Sequence, residues 1–223
     1  MLIDQDTIRV IIVVVISYLL GSTPTAYMVA RINNVDIFSV GSGSMGGTNV
    51  IRAVGLRWGI FTGVVDGFKG ILAVIIARQI MSDHTAAATT IAAAVAIAGH
   101  NWSLFAAMLT ATVRNGKVQA TFRGGKGGAT AFGTMLMFAP LYVIAAMLFL
   151  FGVILAVTRY VSLGVLLAFA LALLWLAVLV GQQQLEPEFI FYTLAVAAMM
   201  LIRFRENIQR LLTGTERRFG ERA

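Results

Sequence analysis

The chain has 223 residues, of which 59% are hydrophobic and only 12% are charged. Soluble domains carry about 25% charged residues, so the composition excludes an ordinary soluble protein and indicates an integral membrane protein. The formal net charge is +7 and cysteine is absent, which excludes disulfides, thiolate metal sites and a cysteine nucleophile. The length favours a single domain over residues 1–223.

Apolar windows that are long enough to cross a bilayer follow one another along the chain. A spanning helix needs about 20 mostly apolar residues. The windows are 10–30, 58–80, 89–109, 161–180 and the shorter 187–204. The stretch 129–157 is too long for one comfortable span and contains Pro140, so we expect it to form two short spans. Five or six crossings are the alternative, with one window re-entrant.

Basic residues indicate the orientation of these spans. They concentrate in loop 31–57, in loop 112–128 and in the tail after residue 203, whereas the connection after residue 180 carries only Glu186 and Glu188. Basic loops face the cytoplasm. The sequence therefore predicts an all-α, polytopic bundle of seven transmembrane helices with the N-terminus outside, the C-terminus cytoplasmic and residues 205–223 forming a basic cytoplasmic tail.

A proline interrupts the first window in the segment Gly21-Ser22-Thr23-Pro24. Proline removes a helix hydrogen bond, and neighbouring Ser and Thr hydroxyls can satisfy the freed carbonyl. The segment is either a simple kink with small packing residues or a shaped wall of a site.

Two glycine-rich basic loops are predicted on the same face. The first spans residues 41–49 and is followed by Arg52, and the second spans residues 123–130 and places Lys126 among four glycines. Dense glycine lets successive backbone N–H groups turn toward an anion, and arginine offers a fork that matches phosphate oxygens. Together the loops predict phosphate binding.

Ionisable residues inside the spans are costly and usually paired or functional. Asp66 and Lys69 lie three residues apart on one helical face, so they form either a structural ion pair or part of a substrate site. His100 is either a packed polar residue or a group for proton transfer.

These segments resemble a known family when they are taken together. The motifs GSTPTAY, GSGSMGGTNVIR, DGFKG, GHNWSLF, RGGKGGATAFG, YVSLG and NIQRL, in this order from Gly21 to about Leu211, are similar to the bacterial acyl-phosphate-dependent glycerol-3-phosphate acyltransferases of the PlsY type. The resemblance implies a seven-helix enzyme of the bacterial inner membrane with a cytoplasmic active site. It implies acyl transfer from acyl phosphate to the 1-hydroxyl of sn-glycerol 3-phosphate, with membrane lipids around it and without cofactor, metal or nucleic acid.

The resemblance also implies the site residues. The expected catalytic residues are His100, Lys126 and Arg52. The expected substrate-binding residues are Ser42, Gly43, Gly46, Thr48, Asn49, Lys69, Gly124, Gly125, Gly127, Ser162 and Asn207.

The chain departs from the family pattern in four places. Ser44, Gly47 and Phe204 stand where the family usually has Asn, Ala and a substrate-contacting His, and residues 106–121 look like a cytoplasmic insertion with an extra basic turn. A transferase with a different acceptor is therefore one alternative. A transporter of organic phosphates is another, since it would also use basic loops and broken helices.

Overall fold

The computed structural model describes residues 4–114 and 117–220. The chain is mostly helical and contains a pair of short strands. In chain order the elements are α1 Gln5–Ser22, α2 Thr25–Ile32, α3 Gly47–Ala53, α4 Leu56–Ile80, a 3₁₀ turn Ser82–His84, α5 Thr85–Asn101, α6 Leu104–Thr110, β1 Thr112–Arg114, β2 Lys117–Gln119, α7 Gly128–Met135, α8 Leu141–Thr158, α9 Val161–Gly181 and α10 Phe189–Leu212.

The protein is an integral membrane protein, and the predicted spans are confirmed in part. Within the described ranges, four segments are long and apolar enough to cross a bilayer: Gln5–Ile32, Leu56–Ile80, Leu141–Thr158 and Val161–Gly181. The break at Pro140 is confirmed, because α7 ends at Met135 and α8 begins after Pro140. With eight residues α7 is about 12 Å long, far less than the bilayer core of about 30 Å. Seven crossings and the placement of the termini therefore stay predictions.

The break in the first window is a junction between two helices. Pro24 caps the start of α2, and the carbonyl of Thr23 accepts a hydrogen bond from the ammonium of Lys69 at 3.0 Å. The sequence pointed to Ser and Thr hydroxyls as partners for the freed carbonyl. The structure uses both kinds of partner: the Ser103 hydroxyl donates to the Ser22 carbonyl at 2.5 Å, and the bond from Lys69 ties the α1–α2 junction to α4.

The window 89–109 is not one continuous helix, and this part of the prediction is wrong. Helix α5 ends at Asn101, and Trp102 pairs with Arg123 in an isolated antiparallel bridge. The Ser103 hydroxyl then accepts from the amide of Ala106 at 3.0 Å and so caps the start of α6. An apolar run hides this break because the cap residue is the only local signal for it.

Close packing of backbones holds the inner helices together. A Cβ atom added at Gly21 would collide with the backbone of Ala96, and one added at Gly133 would collide with the backbone of Gly67. These contacts join α1 to α5 and α4 to α7. Membrane helices associate through such small-residue contacts, since lipid supplies no hydrophobic driving force between them.

The predicted insertion contains the two strands that depart from the all-α prediction. β1 and β2 pair antiparallel with Val113 opposite Val118, and residues 115 and 116 of the predicted basic turn lie outside the described residues. The amide of Thr121 donates to the Thr110 hydroxyl at 3.1 Å and closes the base of this hairpin. The β-branched residues of the strands and the Asn-Gly sequence between them are typical hairpin signals.

The predicted tail 205–223 is helical in its first part, because α10 continues to Leu212. The following residues fold back on the protein. The amide of Thr215 donates to the carbonyl of Arg210 at 2.8 Å, and the amide of Phe219 donates to the carbonyl of Arg159 at 2.6 Å. Residues 221–223 lie outside the described residues. A single domain over 1–223 stays a prediction.

Candidate active site

Most of the predicted site residues line one cavity of about 510 Å³. The cavity lies where both glycine-rich loops meet α7, α8, α9 and α10. The predicted residues in its wall are Ser42, Gly46, Thr48, Asn49, Arg52, His100, Lys126, Gly127, Ser162 and Asn207. Gly43, Lys69, Gly124 and Gly125 do not line it, and they lie behind the residues that do.

Asn49 organises the first glycine-rich loop. Its side-chain amide donates to the carbonyls of Val40 and Ser44, both at 3.1 Å, and of Ile37 at 3.2 Å, while its carbonyl oxygen accepts from the amide of Ser42 at 3.0 Å. All its polar atoms are thus engaged within the loop. Gly43 has φ +59°, a left-handed conformation that glycine adopts without strain. Asn49 and Gly43 therefore shape the loop that presents Ser42 to the cavity.

The second glycine-rich loop runs against the end of α5. The amides of Gly124 and Gly125 donate to the carbonyls of Asn101 at 3.2 Å and His100 at 3.0 Å. A Cβ at Gly124 would collide with the His100 carbonyl, and one at Gly125 would collide with His100 Nε2. The amide of Met45 donates to the Gly124 carbonyl at 3.3 Å, so the two glycine-rich loops are joined directly.

Arg203 secures this second loop from α10, a role that the sequence reasoning missed. Its guanidinium donates to the carbonyl of Gly125 at 2.8 and 3.1 Å and to that of Gly124 at 3.2 Å, and it lies 5.7 Å from the ring centroid of Trp102. The only sequence signal was one more arginine in a basic segment.

Lys126 is the cation that the second loop delivers to the cavity. Its ammonium donates to Asn207 Oδ1 at 2.5 Å and lies 5.2 Å from the ring centroid of Phe204. The pKa of Lys126 is lowered to about 8, mainly by burial; the nearby Glu216 opposes the shift, Arg210 and Arg52 add to it, and Glu206 opposes it. Near pH 8 this lysine therefore changes its charge.

Asp66, Lys69 and His100 form a buried cluster behind the polar end of the cavity. The Asp66 carboxylate lies 2.8 Å from Lys69 Nζ, accepts from the Thr25 hydroxyl at 3.1 Å and lies 3.7 Å from His100 Nδ1. Asp66 and His100 reach the cavity wall, whereas Lys69 does not. Of the two roles considered for Lys69, the geometry favours the ion pair.

The other end of the cavity is apolar. Side chains of α7, α8 and α9 form it: Phe132, Met147, Leu148, Phe151, Val165 and Phe169. Ser162, at the start of α9, lies beside this end, and its buried hydroxyl has no hydrogen-bond partner among residues 4–114 and 117–220. One cavity therefore joins a cationic, hydrogen-bonding end to a hydrocarbon-lined end.

Two of the departures from the family pattern have a local explanation. A Cβ at Gly47 would lie 2.9 Å from the carbonyl oxygen of Gly59, so the close contact between α3 and α4 favours glycine there. The hydroxyls of Ser42 and Ser44 lie 2.8 Å apart, which makes Ser44 a partner of a predicted ligand residue.

Glu216 lines the cavity and was not predicted. Its carboxylate accepts from Asn207 Nδ2 and from Arg210 Nε, both at 2.9 Å. In the sequence it is one of three acids within residues 205–223, which were predicted to form a basic cytoplasmic tail.

Comparison with known proteins identifies the family. Residues 11–214 match the glycerol-3-phosphate acyltransferase family model. A glycerol-3-phosphate acyltransferase of Geobacter sulfurreducens is 37% identical, with 94% of this chain and 97% of the relative covered, and one of Geotalea daltonii is 39% identical, with 94% and 97% covered.

A solved structure shows the same fold. It is the crystal structure of PlsY (YgiH), an integral membrane glycerol 3-phosphate acyltransferase, in its glycerol 3-phosphate form. The TM-score is 0.79 at 31% sequence identity, with 95% of this chain and 96% of that chain covered. These relatives support the acyltransferase and give no support to the transporter alternative. The chain therefore belongs to the glycerol-3-phosphate acyltransferase family of integral membrane enzymes.

Proposed function

We propose that the protein transfers a fatty acyl group from acyl phosphate to the 1-hydroxyl of sn-glycerol 3-phosphate, giving lysophosphatidic acid and inorganic phosphate. The observation that carries the proposal is the division of one cavity into a cationic end and an apolar end. Both substrates carry phosphate, and one also carries a hydrocarbon chain. The related PlsY was solved in a glycerol 3-phosphate form and in a lysophosphatidic acid form, which supports this acceptor and this product.

The reaction does not require the protein to form a covalent intermediate. The acceptor hydroxyl oxygen bonds to the acyl carbonyl carbon, and the bond from that carbon to the phosphate oxygen breaks with its electron pair. The hydroxyl proton passes to the leaving phosphate or to His100. Acyl phosphate is already an activated anhydride, so catalysis rests on positioning and on stabilising the charge of the departing phosphate. Lys126 and Arg52 supply that charge stabilisation.

The other site residues hold the substrates in this scheme. Ser42, Thr48 and Ser162 offer hydroxyl donors in the cavity wall, and Gly46 and Gly127 let the backbone come close to phosphate. The acyl chain lies among the apolar side chains of α7, α8 and α9. Because the basic loops line the polar end, the positive-inside rule supports a site that faces the cytoplasm at the bacterial inner membrane.

The decisive experiment measures phosphate release from palmitoyl phosphate by the protein in lipid, with and without glycerol 3-phosphate. We expect release that depends on the acceptor, together with formation of lysophosphatidic acid. Lys126→Ala and Arg52→Ala should abolish most of it, whereas Arg57→Ala, which removes an exposed arginine away from the cavity, should not. Folded protein that releases no phosphate would contradict the proposed donor, and an uptake assay in sealed vesicles would then test transport.

His100→Ala separates the two routes for the proton. His100 lines the cavity beside Asp66, so it is placed to take a proton from a bound hydroxyl. If this variant retains near-normal turnover, the leaving phosphate is the acceptor. A loss of kcat of about a hundredfold or more, with KM little changed, would assign the role to the imidazole.

A further inference from the structure

The chain that follows α10 forms a strap over residues 213–220 that returns to the cavity. At one end the Thr215 amide binds the Arg210 carbonyl at 2.8 Å. At the other end the Phe219 amide binds the Arg159 carbonyl at 2.6 Å, and Arg159 Nη2 donates to the Phe219 carbonyl at 2.7 Å. Both ends are therefore fixed, and the side chain of Glu216 between them is held in the cavity wall with an exposed fraction of 5%.

Glu216 is joined to Lys126 through the amide of Asn207. Glu216 Oε1 accepts from Asn207 Nδ2 at 2.9 Å, and Asn207 Oδ1 accepts from the Lys126 ammonium at 2.5 Å. Glu216 Oε2 accepts in turn from Arg210 Nε at 2.9 Å. The result is a hydrogen-bonded row of four side chains that runs from α10 and the strap to the second glycine-rich loop.

The chemistry of the two neighbours permits only one orientation of the Asn207 amide. An ammonium can only donate a hydrogen bond and an ionised carboxylate can only accept one. The amide oxygen must therefore face Lys126 and the amide nitrogen must face Glu216. A flipped amide would set donor against donor on one side and acceptor against acceptor on the other, in a site where Asn207 is only 4% exposed.

We propose that Glu216 is a positioning residue for the reaction, which fixes the Asn207 amide and thereby holds the Lys126 ammonium in the cavity. The C-terminal strap thus completes the active site. This assignment rests on the proposed function of Lys126. It gives Glu216, one of three acids in the tail 205–223, a role in the active site.

Charge as well as geometry couples Glu216 to Lys126. The charged groups that face Lys126 are Arg52 on α3, Glu206 and Arg210 on α10, and Glu216 on the strap. Glu216 and Glu206 favour the charged ammonium, whereas the two arginines oppose it. Removing the Glu216 charge therefore lowers the pKa of Lys126 below about 8. A residue that fastened the tail without facing Lys126 would not produce this shift.

The experiment compares Glu216→Gln with Glu206→Gln. Glutamine at position 216 retains the shape and an acceptor for Asn207 but loses the charge. Glu206 also faces Lys126, but its side chain is 57% exposed, so solvent screens it. The readout is competitive acetylation of full-length protein in lipid with acetic anhydride, which labels neutral amines. Mass spectrometry compares Lys126 with Lys117 of the same chain from pH 6 to pH 10.

We expect Glu216→Gln to raise the relative labelling of Lys126 at pH 7 about threefold, which corresponds to half a pKa unit, and Glu206→Gln to raise it less. In the phosphate-release assay Glu216→Gln should lower kcat/KM, and Glu216→Ala, which also frees the amide, should lower it further. If Glu216→Ala does not fold, the glutamine variant decides.

Unchanged labelling in Glu216→Gln, or an equal effect of Glu206→Gln, would overturn the assignment. The labelling experiment does not depend on turnover. An inactive wild type with the expected labelling shift would therefore contradict the proposed reaction and leave the coupling of Glu216 to Lys126 intact.

Discussion

The ammonium of Lys69 lies 2.8 Å from the carboxylate of Asp66, and their side chains are only 6% and 3% exposed. The same ammonium donates to the Thr23 carbonyl at the Pro24 break, and that carbonyl also accepts from the Thr25 amide at 3.1 Å. One buried ion pair on α4 therefore also stabilises the junction between α1 and α2.

Removing one partner of this pair should destabilise the protein strongly. Asp66→Asn leaves a buried ammonium without its countercharge, and we expect a loss of about 3–5 kcal/mol in the free energy of unfolding. Thermal unfolding in detergent, followed by the loss of folded protein, measures it. The double variant Asp66→Asn/Lys69→Met should recover much of the loss, because it removes both charges. Equal stability of Asp66→Asn and wild type would show that the pair is not needed.

Lysine should not replace Arg203 without loss of activity. Its planar guanidinium donates to two carbonyls of the second glycine-rich loop from Nη2, binds the Gly125 carbonyl again from Nε and lies over the Trp102 ring. The lysine ammonium lacks the rigid fork that makes these contacts together. Losing hydrogen bonds from a charged donor costs about 1.5–3 kcal/mol, so Arg203→Lys should lower kcat/KM about tenfold or more. Arg205→Lys, at an exposed neighbouring position, is the control. Equal activities of the two variants would contradict the role of Arg203.

The second glycine-rich loop should not tolerate a methyl group at Gly125. A Cβ there would collide with His100 Nε2 and lie 2.8 Å from the Met45 carbonyl oxygen. We expect Gly125→Ala to displace Lys126 and lower activity at least tenfold. Gly152→Ala in α8, where no atom lies within 4 Å of the added methyl, should retain wild-type activity. Steady-state phosphate release compares them, and a fully active Gly125→Ala would refute the close contact.

Phe204 is the departure closest to the charged end of the site. Its ring lies under the Lys126 ammonium and takes the place of the usual histidine. We expect Phe204→His to raise kcat/KM a few-fold by adding a hydrogen-bond donor for phosphate, and to lower thermal stability because a buried polar ring replaces an apolar one. Phe204→Leu should lower stability without any gain in activity. Unchanged kcat/KM in Phe204→His would show that the site works fully with phenylalanine.

Activity should depend on pH through Lys126. Its pKa is about 8, so the ammonium that we propose binds phosphate is present below this pH and is lost above it. We expect kcat/KM, which reports the free enzyme, to fall as pH rises through about 8. The fall in kcat should begin at higher pH, because a bound phosphate favours the charged lysine. Lys126→Arg, which stays charged, should be slower and lack this alkaline limb; the same limb in that variant would assign it to another group.

The sequence was sufficient for the elements that strong local signals define. Pro140 and Pro24 mark breaks because proline cannot continue the backbone hydrogen bonding of a helix. The break at Trp102 and the two strands of the insertion were missed. At Trp102 the apolar sequence continues through the end of α5, and the capping hydroxyl of Ser103 is the only local signal of the break.

The site residues show the same contrast between those that the sequence predicts and those that it does not. The cations and hydroxyls of the two glycine-rich loops were predicted, since their residue types point to phosphate without knowledge of the fold. The roles of Arg203 and Glu216 were missed because each acts on a residue distant in the chain. Asn49 lines the cavity, and its side-chain amide also holds its own loop, a role the sequence reasoning missed; its contact with substrate stays a prediction. Residue type cannot distinguish a ligand contact from a scaffold contact when both are hydrogen bonds.

The contact of Gly133 with Gly67 has a mechanical consequence for the cavity. On that side α4 and α7 are so close that one methyl group would force them apart, so this wall is stiff. On the other side α8 packs mainly on α9, and side chains such as Phe149 face outward. We therefore expect pressure from the surrounding bilayer to displace α8 more readily than α7. A change in lipid composition should therefore change the width of the apolar end of the cavity, while the end lined by the glycine-rich loops keeps its width.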